Sequence, residues 1–421
     1  MIPRAVKAGC PGVDAAATRR MNDVALLTAG RDPHYALGLA TALIARGVSL
    51  DFIGSDEVDS PGLHDTPRVR FLNLRGDQRR NVALARKMSR VTVYYARLLR
   101  YAAVTPARVF HILWNNKFEH FDRTLLMLYY KLLNKKVVLT AHNVNQGRRD
   151  STDSLLNRLT LRAQYRLVDH VFVHTEPMKR ELVEAYGVAD TAVTVIPYGI
   201  NDAVPDTDLT AETARERLGI APRERTILFF GNIAPYKGLD YLIAAFHRLA
   251  ATPGDYRLII AGMAKKGSEA YLDELQQTIR HGGSAGRVIQ KLTYIPDEDT
   301  ELYFKAADVF VLPYREIFQS GVLFLGYRFG LPVIAADVGT LKDDIVDGET
   351  GFVFRPGDPA DLAKTLEAYF ASDLFQDLKR RRGAIREYAN ARHSWDTVGR
   401  LTAGVYAGLL GASPSPGLRS S

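Results

Sequence analysis

The chain has little of what marks a secreted, membrane-spanning or disulfide-built protein. Its 421 residues contain a single cysteine, Cys10, so no internal disulfide can form. Nowhere do eighteen apolar residues run together, and the first twenty residues carry Arg4, Lys7 and Asp14 without a seven-residue apolar run. A membrane span and a secretory leader are both disfavoured, and a cytoplasmic location is the expectation. No internal repeat is found. The first strand is not followed by a G-x-G-x-x-G fingerprint, which weakens a dehydrogenase reading. No nucleic-acid module or basic-aromatic sheet pattern stands out either.

What the chain does have is length and a lopsided charge. At 421 residues it exceeds what one hydrophobic core supports, so two domains are expected. Residues 1–200 hold 29 Lys and Arg against 18 Asp and Glu, whereas residues 201–421 hold 26 against 29. The excess concentrates in Arg79, Arg80, Arg86, Lys87, Arg90, Arg97 and Arg100. Leu84, Met88, Val91, Tyr94, Tyr95, Leu98 and Leu99 interleave with them in an expected amphipathic helix. Such a helix is either a solvated face whose long cations cover core, or a surface for an anionic partner, a membrane face included.

Short β-branched runs alternate with longer helical segments, the pattern of parallel sheets covered on both faces. Strands are expected near 24–27, 49–53, 69–72, 109–112, 137–140, 171–173 and 193–196. A second set is expected near 226–230, 257–261, 288–292, 309–312, 332–335 and 351–353. Between the sets, the Pro- and Asp-bearing stretch 202–210 marks a linker. The expected division is a disordered leader 1–20, a first domain 21–200, a second domain 201–394, a last helix 395–412 and a disordered tail 413–421.

The most informative chemistry is Gln319-Ser320-Gly321-Val322, which follows the buried-strand run Val309–Leu312. A helix that starts there points unpaired N–H groups and the positive end of its dipole into the crevice at the carboxyl edge of the sheet, where a phosphate fits. In the same half, Lys237 stands at a helix entrance after the strand ending at Phe230, placed to neutralise a diphosphate as a mobile point charge. In the first half, the small-residue turn around Gly30 opens a helix and permits close approach of a ligand to backbone, with a plain strand-to-helix turn as the alternative. His142, followed by Asn143, lies just past a buried strand and suits a sugar hydroxyl; a satisfied loop histidine is the ordinary alternative. The triplets Asp206–Asp208 and Asp297–Asp299 read as acidic turns rather than metal ligands.

In order and spacing, from about residue 22 to residue 411, these segments resemble the retaining glycosyltransferases of family 4, of the GT-B type. The marks are Gly30 and its helix, His142, the run 195–200, Gly231 to Gly238, the run 258–262, the run 307–313 and the run 330–335. The resemblance implies an α/β fold of two Rossmann-like parallel-sheet domains facing a cleft, with the last helix crossing back to the first domain. It implies a retaining, metal-independent hexosyltransferase with no cofactor beyond its co-substrate, a UDP- or GDP-linked sugar. The acceptor would be a glycan or lipid-linked molecule in cell-surface polysaccharide or glycoconjugate synthesis; the basic first half of the chain favours meeting it at the inner face of the membrane.

By the same resemblance, Gly30, His34 and Asn143 would line the acceptor side or cleft. Gly231, Asn232, Lys237, Gly262, Tyr294, Glu316, Gln319, Ser320, Gly321 and Val322 would hold the donor. His142, Glu316 and Lys237 would carry the chemistry, with Lys237 and the 320–322 backbone stabilising the departing diphosphate. Two departures stand out. Asn232 occupies the place of a usual arginine, and Leu325 or Gly326 that of a usual second carboxylate. They motivate two alternatives: a catalytically weakened subunit that binds glycan or nucleotide sugar, and a nucleotide-sugar epimerase of the same fold.

Overall fold

The computed structural model describes residues 22–79, 83–149, 153–200 and 204–411. The expected leader and tail, Cys10, Arg80 and the start of the linker at 201–203 lie outside those residues. Strands β1 Val24–Leu27, β2 Leu50–Gly54, β3 Val69–Asn73, β4 Val109–Ile112, β5 Lys136–Thr140, β6 His170–Val173 and β7 Val193–Val195 form one sheet in the order β3-β2-β1-β4-β5-β6-β7. Strands β8 Arg225–Phe230, β9 Tyr256–Ala261, β10 Val288–Lys291, β11 Val309–Leu312, β12 Val333–Ala336 and β13 Gly351–Phe354 form a second, ordered β10-β9-β8-β11-β12-β13. Pairing is parallel throughout, for example Leu26 against Phe52 and His111, and Leu228 against Ile259 and Phe310.

Burial on both faces explains why the strands read as continuous apolar runs. In β1, Val24 and Leu26 belong to one core cluster while Ala25 and Leu27 belong to another across the sheet. The second domain has a single core built around β8, β9, β11 and β12. In each sheet the order reverses beside the first strand, at β1/β4 and at β8/β11. Helices leave in opposite directions at such a switch point, so a crevice opens at the carboxyl ends of the strands.

The last helix, Trp395–Leu410, packs on the first domain. Val398 and Tyr406 join the core under β1 and β4 with the helix Pro33–Ala45, and Trp395 Nε1 donates to the Ile200 carbonyl at 2.7 Å. His111 anchors this crossover: its Nδ1 lies 2.5 Å from the Tyr406 hydroxyl and its Nε2 2.7 Å from Thr140 Oγ1. Tyr406→Phe leaves a buried ring nitrogen without a partner. It is therefore expected to lower unfolding free energy by about 1–3 kcal/mol, read as a lower urea midpoint at unchanged m.

The helix Leu84–Val104 divides the two readings of the basic segment between its ends. Tyr94, Tyr95, Leu98 and Tyr101 are buried, so from there on the cations do cover core. Leu84 and Met88 are 72% and 64% exposed, so the first turns stand clear of it. Among the described residues no helix is long and apolar enough to cross a membrane.

Candidate active site

Adjacent parallel strands deliver their functional side chains to one edge. In the first sheet, Trp114, His142, His174 and Tyr198 lie one to three residues beyond the ends of β4, β5, β6 and β7. Tyr35, buried in the helix after β1, sits among them, 4.7 Å from the His142 ring centre, 5.8 Å from Trp114 and 5.4 Å from Tyr198. The imidazole of His142 stacks on Trp114 at 4.6 Å, 9° from parallel, and its Nδ1 lies 3.0 Å from His174 Nε2. Burial, reinforced by the neighbouring His174, pushes the His142 pKa well below the usual histidine range, and burial takes His174 to about 4. A neutral pair results. His142 Nε2 and Asn143 Oδ1 are both enclosed without a hydrogen-bond partner among the described residues, as sugar hydroxyls would require.

Gly30 has a side-chain neighbour from a distant loop. Gln78 Nε2 donates to the Gly30 carbonyl at 3.1 Å and to Ser55 Oγ at 2.9 Å, and would stand 2.1 Å from a Cβ on Gly30. The space beside this glycine is thus filled by Gln78, a residue more than forty positions away.

In the second sheet, Gly231 directly follows β8 and Gly262 directly follows β9. Gly262 has φ +148°, and a Cβ there would lie 1.8 Å from the Gly231 carbonyl oxygen, so these turns meet backbone to backbone. Gly231 in turn faces Val322, whose Cγ2 is 3.9 Å from its Cβ position. The helix after β11 is Gly321–Arg328 with Ser320 at its N-cap, as the sequence implies. Lys237 is 6% exposed, donates to the Tyr314 hydroxyl and lies 4.1 Å above the Tyr314 ring; that hydroxyl is 3.1 Å from Ser320 Oγ. Far from being mobile, the cation is held against the start of the helix. Gln319 Oε1 is enclosed beside it without a partner among the described residues.

The two edges meet. Tyr198 stacks on Phe324 at 5.9 Å and its ring approaches within 2.8 Å of a Cβ position on Gly321. His34 Nε2 reaches across the domains to Asp297 Oδ2 at 2.9 Å, which gives one of the acidic triplets a structural partner; Asp206 of the other pairs with Lys305 at 2.9 Å. Through Tyr198 the first-sheet cluster around His142 thus meets the helix start at Gly321, and Gly231, Gly262 and Val322 adjoin one another on the second sheet's side of the crevice. Glu316, Asn232 and Tyr294 are exposed, Tyr294 at 68%, without a side-chain contact to the cluster among the described residues. Arg315, the nearest substitute for the missing arginine, is occupied: it pairs with Asp240 at 2.5 Å and donates to the Pro235 carbonyl at 2.9 Å. Leu325 and Gly326 are buried, Leu325 within the second core. Trp114, His174 and Tyr314 escaped sequence reading, although each stands one or two residues past a strand, the same signal that singled out His142.

Acid should act on this edge. A histidine with a depressed folded pKa binds fewer protons folded than unfolded, so stability rises with pH between the folded and unfolded values. For His111 and His174, with folded values of about 3 and 4, that window runs from about 4 up to about 6.5. Urea unfolding at pH 7 and pH 5 should show a loss approaching ~1.4 kcal/mol per pH unit for each imidazole as pH falls.

Comparison with known proteins bears on this crevice. The model described as Glycosyltransferase Family 4 matches residues 34–204, and that described as Glycosyl transferases group 1 matches residues 224–372. The chain belongs to glycosyltransferase family 4. Among curated relatives, it is 30% identical over 248 residues to a D-inositol 3-phosphate glycosyltransferase of Corynebacterium aurimucosum, covering 56% of this chain and 58% of that one. With one of the same name from Nocardia farcinica, identity is 33% over 240 residues, covering 54% and 50%. The chain thus spans just over half the length of the curated relatives it matches. Solved structures share the fold along nearly the whole chain. A sucrose-phosphate synthase from Thermosynechococcus elongatus superposes with TM-score 0.72 at 20% identity, covering 93% of this chain and 99% of that one. Anabaena Alr3699/HepE in complex with UDP-glucose gives 0.69 at 16%, covering 91% and 99%.

Proposed function

We propose that this protein is a retaining glycosyltransferase that moves a hexose from a UDP- or GDP-linked sugar to a glycan or lipid-linked acceptor. One observation carries the reading: Lys237, Tyr314 and Ser320 form a hydrogen-bonded chain at the start of the helix Gly321–Arg328, facing Gly231. As the glycosidic bond to the leaving diphosphate breaks, charge grows on the phosphate oxygens. A fixed ammonium with the free N–H groups of a helix start stabilises it without a metal ion. On the opposite wall, His142 Nε2 and Asn143 Oδ1 supply the unmatched polar atoms that would orient the transferred sugar and the incoming hydroxyl. The name of the curated relatives adds phosphorylated inositol to the acceptors worth screening.

A second reading is a binding subunit with weakened chemistry, favoured by the neutral, exposed Asn232 and the buried, apolar Leu325 at positions where charge would be expected. Calorimetry with UDP and GDP, followed by donor turnover with an acceptor panel, separates the two. Nucleotide binding without any turnover supports the subunit, whereas turnover supports the transferase.

The first domain is further proposed to meet a membrane face. Leu84, Met88, Leu125, Leu132, Leu155 and Leu156 are each more than half exposed on its helices, in the half of the chain that carries the positive excess. Sedimentation with anionic vesicles should bring the protein down at low salt, less so at high salt. Failure to sediment at any ionic strength removes this part of the proposal.

A further inference from the structure

A second cavity, of about 530 Å³, lies apart from the Lys237 site. The residues after β3 and the helix Leu84–Val104 form most of its wall, and the second domain reaches it with Lys266. Arg75, Arg79, Lys87, Arg90, Lys117 and Lys266 line it against one carboxylate, Asp77. That carboxylate is already engaged: it accepts from the Arg79 backbone N–H at 2.7 Å and from Arg79 Nε at 2.9 Å, and stands 3.3 Å from Arg90 Nη1.

The guanidinium groups are the telling feature. Arg90 Nη1 donates to the Asp77 carbonyl at 2.5 Å, but its Nε and Nη2 are enclosed without a hydrogen-bond partner among the described residues. Arg75 Nη1 is in the same state, while its guanidinium carbon lies 5.2 Å from the centre of the Tyr94 ring. Charged donors shut away from water and left unmatched are costly, so they mark the place of an absent acceptor with several oxygens. Tyr94 and Val91 supply an apolar side to the same cavity. Gln78 both lines the cavity and donates to the Gly30 carbonyl, so it opens next to the first-domain edge of the crevice.

We infer that this cavity binds a phosphate ester borne by the acceptor, the arginine forks taking the oxygens and the tyrosine side taking the carbon skeleton. A phosphate monoester matches a surplus of cations over carboxylates and the planar, multi-donor geometry of guanidinium better than a neutral sugar does. Because Lys266 comes from the second domain, a bound phosphate also links the two halves of the protein. The inference rests on the transferase reading only in calling the ligand an acceptor; the phosphate site stands on its own residues. The phosphate ester can belong to a soluble sugar phosphate or to a lipid-linked acceptor.

Calorimetry on the full chain tests this with inositol phosphate, glucose 6-phosphate, the two unphosphorylated parents and UDP, alongside sedimentation with vesicles that carry phosphatidic acid. The wild type should bind a sugar phosphate but not its parent, and Arg90→Gln should weaken that binding at least about tenfold, the scale of one charge-assisted hydrogen bond. UDP affinity should stay unchanged in that variant, showing that the fold and the donor site are intact. Lys266→Gln, on the other domain, should weaken sugar-phosphate binding too, and serves if Arg90→Gln does not fold. Binding only to the vesicles, lost in both variants, assigns the phosphate to a lipid-linked acceptor. The inference is overturned if no phosphate ester binds the wild type in either form, or if both variants bind as the wild type does. Should neither UDP nor GDP bind, the donor reading falls while the phosphate result keeps its meaning.

Discussion

Lys237→Ala is expected to lower kcat for donor turnover by about 10²–10³, the usual cost of removing one preorganised group that meets developing charge. The loss should fall more on kcat than on KM, because the diphosphate gains its charge in the transition state. Arginine should not rescue it. The ammonium is enclosed at 6% exposure against the Tyr314 ring and hydroxyl, and a planar guanidinium cannot occupy that space without displacing the ring. Tyr314→Phe should act in the same direction by a smaller factor, since it keeps the ring under Lys237 but removes the hydroxyl that connects it to Ser320. Steady-state kinetics with a donor sugar checks both. Turnover that is indifferent to Lys237→Ala would leave the binding-subunit reading as the better one.

Gly262→Ala should produce the largest loss of stability of any single methyl added to the site. The new Cβ would stand 1.8 Å from the Gly231 oxygen and 2.7 Å from its carbonyl carbon, and the residue would be held at φ +148°. Neither partner can escape by changing rotamer, because both are backbone. Overpacking and backbone strain each cost about 1–3 kcal/mol, so a loss of roughly 3 kcal/mol or more is expected in urea unfolding. The same variant should also bind nucleotide poorly, because pushing Gly231 aside moves it relative to Val322 and the helix start. Gly286→Ala is the contrast: nothing lies within 4 Å of its Cβ position, and its effect should stay within about 0.5 kcal/mol.

Local pattern carried the fold a long way. The strand runs at 24–27, 109–112 and 309–312 match β1, β4 and β11 residue for residue, and the other ten fall within about a residue of their observed ends. Strand recognition succeeds here because parallel strands buried on both faces must be apolar over their whole length, a signal that needs no distant partner. Ser320-Gly321 was legible for a similar reason: helix starts are written in the few residues that cap them.

Pairing between distant residues was not legible. That Gln78 fills the space beside Gly30, that Tyr314 pins Lys237, that His34 reaches Asp297 and that Leu84 and Met88 stand outside the core all depend on how separate elements dock. The sequence by itself determined two parallel-sheet domains, their strand ends and the helix start at Ser320-Gly321, because periodicity and capping act within a few residues. Only the tertiary structure decided which strand-end side chains meet, which polar atoms are left unmatched and which cations gather around one cavity. Those outcomes depend on side-chain contacts across dozens to hundreds of residues, where a shift of an ångström makes or removes a partner.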